Sequence, residues 1–285
     1  MDLTVTLKCN NRCVICPRFP YLSHIACTSE KDIYRSIEHI RSKSNQIVLS
    51  GGEVTLLNDF FKILTFCRNL EFEKIGIVTN GRRLKDYIFA KKLVEAGIND
   101  FAVSLYSLKP KIHDQITCQS GSCLETKKGL MNLLKLSKTR SFSLRVNLVA
   151  LRSNLCQIPD IVKNLSQAGV KNFILAEQIV LPRGVDAVPS VASLKECLVS
   201  VNNIDLSGTL VRLRGFASCL LQGKKNKHII HEPHDINTFD KRHANKKAYL
   251  SLFKDCFFKT TLCKKCSEIH KCPGLQKAYF KQEGA

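Results

Sequence analysis

Apolar residues along this chain alternate between two rhythms. Short apolar runs occur at Leu3–Leu7, Ile47-Val48-Leu49, Lys74–Thr79, Asp100–Leu105, Ser143–Leu151 and Phe173–Val180, and each reads as a strand. Between them, apolar positions recur at three- and four-residue spacing. Ile33, Ile37 and Ile40 predict a helix capped by Thr28 or Ser29, and Asn58 opens a second helix with Phe61, Ile63, Leu64 and Phe66 apolar. Leu84–Ala96 is stopped by Gly97, Glu125–Ser137 follows, and Ile158–Ala168 is stopped by Gly169. Lys109–Ser122 is polar and reads as irregular.

Six strand-and-helix units in about 180 residues imply parallel strands joined by helical crossovers, too few for a closed eight-stranded barrel. The expected fold is α/β, a partial (β/α)6 TIM-like barrel over residues 1–181. Leu181-Pro182-Arg183-Gly184 breaks the rhythm, and 182–208 reads as a linker plus a helix from Ala192 to about Val201. A different, smaller module is expected over 209–285.

The first chemical signal is Cys9-Asn10-Asn11-Arg12-Cys13-Val14-Ile15-Cys16, spaced C-x3-C-x2-C directly after the first strand. Tetrahedral zinc or a fully ligated iron-sulfur cluster takes four protein ligands, so three thiolates on one loop leave one iron open to a small chelating ligand. The chain has 285 residues and 14 cysteines, but neither the short length nor the export signal of a disulfide scaffold, so reduced thiols and metal clusters fit better. No apolar stretch approaches about eighteen residues, and Met1-Asp2-Leu3 runs straight into a strand. Neither a membrane span nor a signal peptide is indicated, and a cytoplasmic location is expected.

The cysteine spacing resembles the signature of the radical S-adenosylmethionine (SAM) enzymes. Ser50-Gly51-Gly52-Glu53 is similar to that family's GGE motif, and Ile77-Val78-Thr79-Asn80-Gly81 and Val103-Ser104-Leu105-Tyr106-Ser107 are similar to its strand ends near SAM. The resemblance implies a 4Fe-4S cluster on Cys9, Cys13 and Cys16 with SAM on the open iron. It also implies that Glu53 and the Gly51-Gly52 backbone hold the amino group of SAM, with Ser104, Asn80, Arg145 and Asn147 as candidates for ribose and carboxylate. Ile15 stands where the family commonly has an aromatic residue; it can cover the adenine but not stack on it. The implied reaction is reductive cleavage of SAM, with the electron supplied by a low-potential donor such as flavodoxin or ferredoxin, to a 5′-deoxyadenosyl radical that abstracts a substrate hydrogen atom. His113 reads as a loop or helix-start histidine without chemistry, because nothing nearby pairs a base with a nucleophile.

The tail carries Cys219, Cys256, Cys263, Cys266 and Cys272, and Cys263-x2-Cys266-x5-Cys272 is similar to the auxiliary-cluster extension called SPASM or its shorter form, twitch. Five thiols support one auxiliary 4Fe-4S cluster, with Cys219, Cys263, Cys266 and Cys272 favoured and Cys256 in reserve. The full pattern would put its last cysteine at Gln276. A zinc site on Cys263, Cys266, Cys272 and His270 or Cys256 stays open. Cys27, Cys67, Cys118, Cys123, Cys156 and Cys197 lack ligand spacing and read as packing residues.

The formal charge is +20, and residues 211–285 hold 16 Lys and Arg against 6 Asp and Glu. Such a surface meets nucleic acid, an acidic peptide or only solvent, and charge alone does not separate these. The resemblance favours an oxidoreductase-type or peptide-modifying enzyme acting in maturation of a ribosomal peptide. A nucleotide, RNA or small carbohydrate is the alternative substrate, and a non-catalytic iron-sulfur carrier or nucleic-acid-binding protein the alternative from another class. A carrier has no need of an open iron, a GGE segment and six barrel strands.

Overall fold

The computed structural model describes residues 1–16, 29–178, 188–221, 228–232, 257–270, 272, 274–277 and 279. Eight strands form one sheet in sequence order, with β1 and β8 at its edges. Two compact units divide the chain within β5, the first ending at Val146 and the second starting at Asn147.

The first unit holds β1 (Asp2–Thr6), β2 (Gln46–Gly51), β3 (Lys74–Thr79) and β4 (Asp100–Ser104), all parallel, with the start of β5 (Ser143–Ala150). Its apolar partners line up in register: Leu3 opposite Leu49, Ile47 opposite Ile75, Ile77 opposite Phe101. Helices α1 (Glu30–Arg41), α2 (Phe60–Asn69), α3 (Tyr87–Glu95), α4 (Pro110–Thr117) and α5 (Ser122–Leu136) complete it. Ser29 and Asp32 form a capping box that starts α1, and Ile33, Ile37 and Ile40 are its buried face, as the spacing predicts. In α2 the buried stripe is Phe60, Ile63, Leu64 and Cys67, so Phe61 falls off the core face and stands edge-on to Phe89 at 6.1 Å.

Helix α4 departs from the expected irregular segment. Pro110 occupies its first turn, where the missing N–H costs nothing, and Cys118 ends it in the left-handed region at φ 49°. Eight residues with two aliphatic side chains leave too short a pattern for periodicity to detect. Asp114 of α4 then accepts hydrogen bonds from the Gly121 and Cys123 N–H groups at 2.7 and 2.8 Å, so one helix caps the next and α5 begins earlier than its apolar pattern.

The second unit holds β6 (Asn172–Glu177), β7 (Leu210–Arg214) and β8 (Ile229–Glu232), again parallel, with Phe173 opposite Val211 and Val211 opposite Ile229. Helix α6 (Ile158–Gln167) leads into β6, and α7 (Val191–Asn203) lies between β6 and β7 in the chain. The open parallel α/β architecture is the expected one, but β7 and β8 come from the stretch assigned to the tail module and lengthen the sheet beyond six strands. A short antiparallel pair, β9 (Phe257–Phe258) and β10 (Leu275–Gln276), follows. Among the described residues, no helix is long and apolar enough to cross a membrane.

Helix α5 approaches the turn after β3, at Gly81 and Leu84, with almost no clearance. A Cβ on Gly129 would lie 2.2 Å from the Gly81 carbonyl oxygen, a backbone atom that cannot swing aside. We expect Gly129→Ala to destabilise the fold by about 1–3 kcal/mol in denaturant titration, whereas an unchanged unfolding midpoint would show that α5 can retreat freely.

Candidate functional site

The cysteine loop is clamped from three sides, all within the first unit. The Gly52 N–H donates to the Thr6 carbonyl at 2.7 Å, and the Glu53 N–H to the Lys8 carbonyl at 2.8 Å. A Cβ on Gly51 would meet the Thr6 oxygen at 2.1 Å, and one on Gly52 the Lys8 oxygen at 2.3 Å. The two glycines of the GGE segment thus admit the backbone that leads into the cysteines, a protein neighbour rather than a ligand alone. On a second side, the Arg12 and Val14 N–H groups donate to the Thr117 and Ile116 carbonyls at 2.9 and 3.0 Å. Those carbonyls end α4 and have no partner within the helix, so the loop satisfies them.

The third side is β3 and the turn beyond it. Asn80 Nδ2 donates to Asn10 Oδ1 at 2.7 Å and reaches Cys9 Sγ at 3.9 Å. Arg82 Nη1 donates to the Asn10 carbonyl at 2.6 Å and to Asn11 Oδ1 at 3.0 Å. Arg82 gave no signal in the sequence because its targets are backbone and amide groups far away in the chain.

Glu53 joins these sides. Its side chain is 0% exposed. Oε1 accepts from the Thr55 N–H (3.2 Å), Thr55 Oγ1 (2.7 Å) and Thr79 Oγ1 (2.8 Å), and Oε2 accepts from the Asn80 N–H (2.7 Å). A carboxylate has about four lone-pair sites, so Oε2 keeps one for another donor.

The three cysteines are free thiols in mutual electrostatic reach. Burial, then the neighbouring Cys16 and Cys9, pushes the Cys13 thiol up to about 12. Burial also raises Cys9, opposed by a hydrogen bond from the Asn11 N–H at 3.4 Å. A metal that takes the thiolates would offset the burial that raises Cys13 and Cys9, and the N–H donors to Cys9 favour the thiolate. Ile15 is buried beside them. Tyr106, hydrogen-bonded to Ser104 at the end of β4, lies within reach of Cys13, Cys16 and Cys9, and burial raises its phenol.

Arg145 is placed elsewhere. Its Nη1 forks onto Asp100 Oδ1 and Oδ2 at 2.8 and 2.7 Å, and Lys74 Nζ joins the same carboxylate at 3.2 Å. Asp100 is the first residue of β4, at the opposite end of that strand from Ser104. The alternation put Arg145 and Asn147 on one face, but register committed the guanidinium to an ion pair. Asn147 Oδ1, in the second unit, is buried without a hydrogen-bond partner among the described residues. His113 is buried with Nδ1 3.0 Å from Ser122 Oγ, and burial lowers its pKa to about 4, so it is a neutral packing histidine.

In the second unit Cys219 senses Cys272, Cys263 and Cys266, with burial as the main cause of its raised pKa. Cys272 Sγ accepts from the Ser218 and Gly274 N–H groups, both at 3.4 Å. The four favoured tail cysteines are therefore neighbours; Cys256 and Cys27 lie outside the described residues. Among the described residues, no three His, Cys, Asp or Glu side chains converge closely enough for a single metal ion. A 4Fe-4S cluster instead places each thiolate on its own iron. Cys67, Cys123 and Cys197 are buried as packing residues, whereas Cys118, which caps α4, and Cys156, in the short turn Leu155–Gln157, are exposed.

Gln276, at the position of the pattern's last cysteine, is taken up by hydrogen bonds at the end of β6. It is 0% exposed, its Nε2 donates to the Gln178 carbonyl at 2.6 Å, and it hydrogen-bonds Glu177. Burial pushes Glu177 up to about 8 against this bond, and among the described residues Glu177 Oε2, Gln276 Oε1 and Tyr279 Oη have no hydrogen-bond partner.

An open parallel sheet with three thiols gathered on a loop at its carboxyl edge defines a class of α/β proteins that hold a cluster with one position left to a ligand. Residues 3–164, more than half of the chain, match the sequence pattern of the Radical SAM superfamily, and the chain belongs to that superfamily. Membership implies a 4Fe-4S cluster and SAM, and the cysteine loop fits the cluster. A "Probable GTP 3′,8-cyclase" of Methanococcus maripaludis (strain DSM 14266) is 30% identical over 193 residues, 66% of this chain and 63% of that protein. One from Methanocaldococcus jannaschii is 30% identical over 171 residues, 57% of this chain and 53% of its own. The match thus spans less than two thirds of either relative. Streptococcus suis SuiB bound to S-adenosylmethionine superposes with TM-score 0.64 at 14% identity, covering 100% of this chain and 74% of that one. A structure titled native anSMEcpe with bound AdoMet and Kp18Cys peptide gives 0.64 at 14%, covering 99% of this chain and 94% of that one. At this identity both show the shared fold.

Two outcomes test these arrangements. Glu53→Ala strands buried donors on Thr55 and Thr79 and the part-buried Asn80 N–H, and should cost about 3 kcal/mol or more in denaturant titration; a variant of unchanged stability would remove the joining role. Glu177 folded keeps its proton to about 8, whereas its ordinary pKa is 4.5, so its contribution to stability falls as pH rises through that window. Glu177→Gln should flatten this decline in melts recorded across the same window, and an identical slope in the variant would mean that the folded carboxyl ionises normally.

Proposed function

We propose that this radical SAM enzyme modifies a peptide, with an auxiliary cluster on Cys219, Cys263, Cys266 and Cys272 assisting the oxidation. The observation that carries the reading is the gathering of these four cysteines in the second unit, with backbone N–H groups on the Cys272 sulfur. N–H donors of this kind stabilise thiolates and clusters. When bound, the first cluster supplies the electron that cleaves SAM, and SAM supplies the radical that takes a substrate hydrogen atom.

The chain's own residues bind, orient and exclude water. Cys9, Cys13 and Cys16 hold the cluster, and the clamped loop fixes them. The Gly51-Gly52 backbone and the remaining lone pair on Glu53 Oε2 receive the amino group of SAM. Asn80 holds the cysteine loop with its side chain, and Ser104 is the first unit's remaining candidate for ribose and carboxylate. Arg145 is omitted, because Asp100 occupies its guanidinium. Ile15 covers the adenine side and keeps water from it.

A nucleotide substrate is the second reading, favoured by the curated relatives whose name is a GTP cyclase. Anaerobic incubation with SAM and dithionite tests both. Wild type should form 5′-deoxyadenosine and Cys13→Ala should not. Mass spectrometry of parallel reactions with short cysteine- or serine-containing peptides and with GTP separates the substrates; a product from GTP alone overturns the peptide reading. Reconstituted protein should hold about eight irons and a Cys263→Ser/Cys266→Ser variant about four, while stoichiometric zinc in the tail would remove the auxiliary cluster.

A further inference from the structure

An ion network outside the ligand residues is aimed at the cysteine loop. Arg82 begins the 3-10 turn Arg82–Lys85 that follows β3. Its side chain is 13% exposed, so its charge is poorly screened. One arm of the guanidinium binds the Asn10 carbonyl and Asn11 Oδ1, the two residues that follow Cys9 toward Cys13. Nε donates to Glu125 Oε2 at 2.6 Å, and the other Glu125 oxygen accepts from Lys85 Nζ.

Glu125 is itself fixed. It lies in the first turns of α5, and Thr126 Oγ1 donates to the Asn80 carbonyl at 2.8 Å while Asn132 Nδ2 donates to the Leu84 carbonyl at 2.8 Å. With Gly129 against Gly81, α5 has no slack relative to the turn that carries Arg82. Two cations share the Glu125 carboxylate, and Arg82 brings its charge to the loop, while the Glu53 carboxylate acts on Cys9. A planar guanidinium meets several acceptors at fixed angles, which an ammonium does not.

We propose that Arg82 is a positioning residue for the first cluster, fixing the backbone between Cys9 and Cys13 and setting its positive charge against that backbone, with Glu125 holding it there. The proposal rests on the assignment of Cys9, Cys13 and Cys16 as cluster ligands. A thiolate-bound cluster becomes more negative on reduction, so a neighbouring cation favours the reduced form. Arg82→Met removes both charge and fork. Arg82→Lys keeps the charge and loses the fork. Glu125→Gln keeps the size of the support and removes its negative charge, leaving more net positive charge beside the loop.

The test uses full-length protein, reconstituted without oxygen, and follows the electron paramagnetic resonance signal that changes on adding SAM. The midpoint potential of that signal should fall in Arg82→Met, stay near wild type in Arg82→Lys and rise in Glu125→Gln. Iron release to a chelator should quicken about tenfold in Arg82→Met, the scale of one lost charged hydrogen bond, and should quicken in Arg82→Lys as well. General destabilisation would not move the potentials of Arg82→Met and Glu125→Gln in opposite directions. Shifts of the same sign, or wild-type potential and iron retention in Arg82→Met, would overturn the proposal. If Arg82→Met fails to fold, Arg82→Lys and Glu125→Gln decide by the same criteria. Cys13→Ala is the control: its SAM-responsive signal should vanish, and persistence would overturn the ligand assignment and the role of Arg82 with it.

Discussion

The buried carboxylate of Glu53 is the constraint on which the geometry of the site depends. Its side chain binds Thr55, Thr79 and the Asn80 N–H, while its own N–H binds the Lys8 carbonyl. One residue thus ties the exit of β1, the turn after β2 and the end of β3 together. Taking a carboxylate out of water costs several kcal/mol unless its lone pairs are filled. Three of the four donors to Glu53 are groups that would themselves be buried without it, so donor and acceptor share one desolvation problem and solve it jointly. The same contacts deliver Asn80 to the cysteine loop.

Around that junction the loop is built from other elements' loose ends. Helix α4 offers carbonyls that no helical N–H can reach, and the loop's N–H groups take them. The loop's carbonyl and amide oxygens at Asn10 and Asn11 find Arg82 and Asn80 in turn. A loop held by its backbone on several sides leaves its thiols free to turn toward a metal, and this is what a site with three ligands and one open position requires.

The second unit shows how a cysteine-rich tail can lean on a sheet. Cys219 follows β7, whose register with β6 is fixed over five residue pairs, so that cysteine is placed by strand pairing. Gln276 meets the Gln178 carbonyl at the end of β6, which anchors the segment after Cys272. A neutral Glu177 fits beside that amide, because an ionised carboxyl would have too few donors there.

Much of this protein was legible in the chain. Apolar runs located β2, β3 and β4 to within a residue or two, and Ile33, Ile37, Ile40 and Ser29 located α1, because a buried face must repeat with the period of its element. The cysteine spacing and the GGE segment marked two stretches that the fold brings together, the Gly52 and Glu53 N–H groups binding the backbone that leads into the cysteines. Tertiary structure alone decided the rest. Arg145 shares a face with Asn147 in any strand, but only the pairing with Asp100 fixes what its guanidinium meets. Helix α4 is too short for periodicity and is defined by a capping exchange with α5. Arg82 and Glu125 meet through side chains 43 positions apart. Periodicity reports which face is buried; it holds no record of which distant hydrogen-bonding group will stand opposite, because that depends on how elements far apart in the chain come to lie side by side.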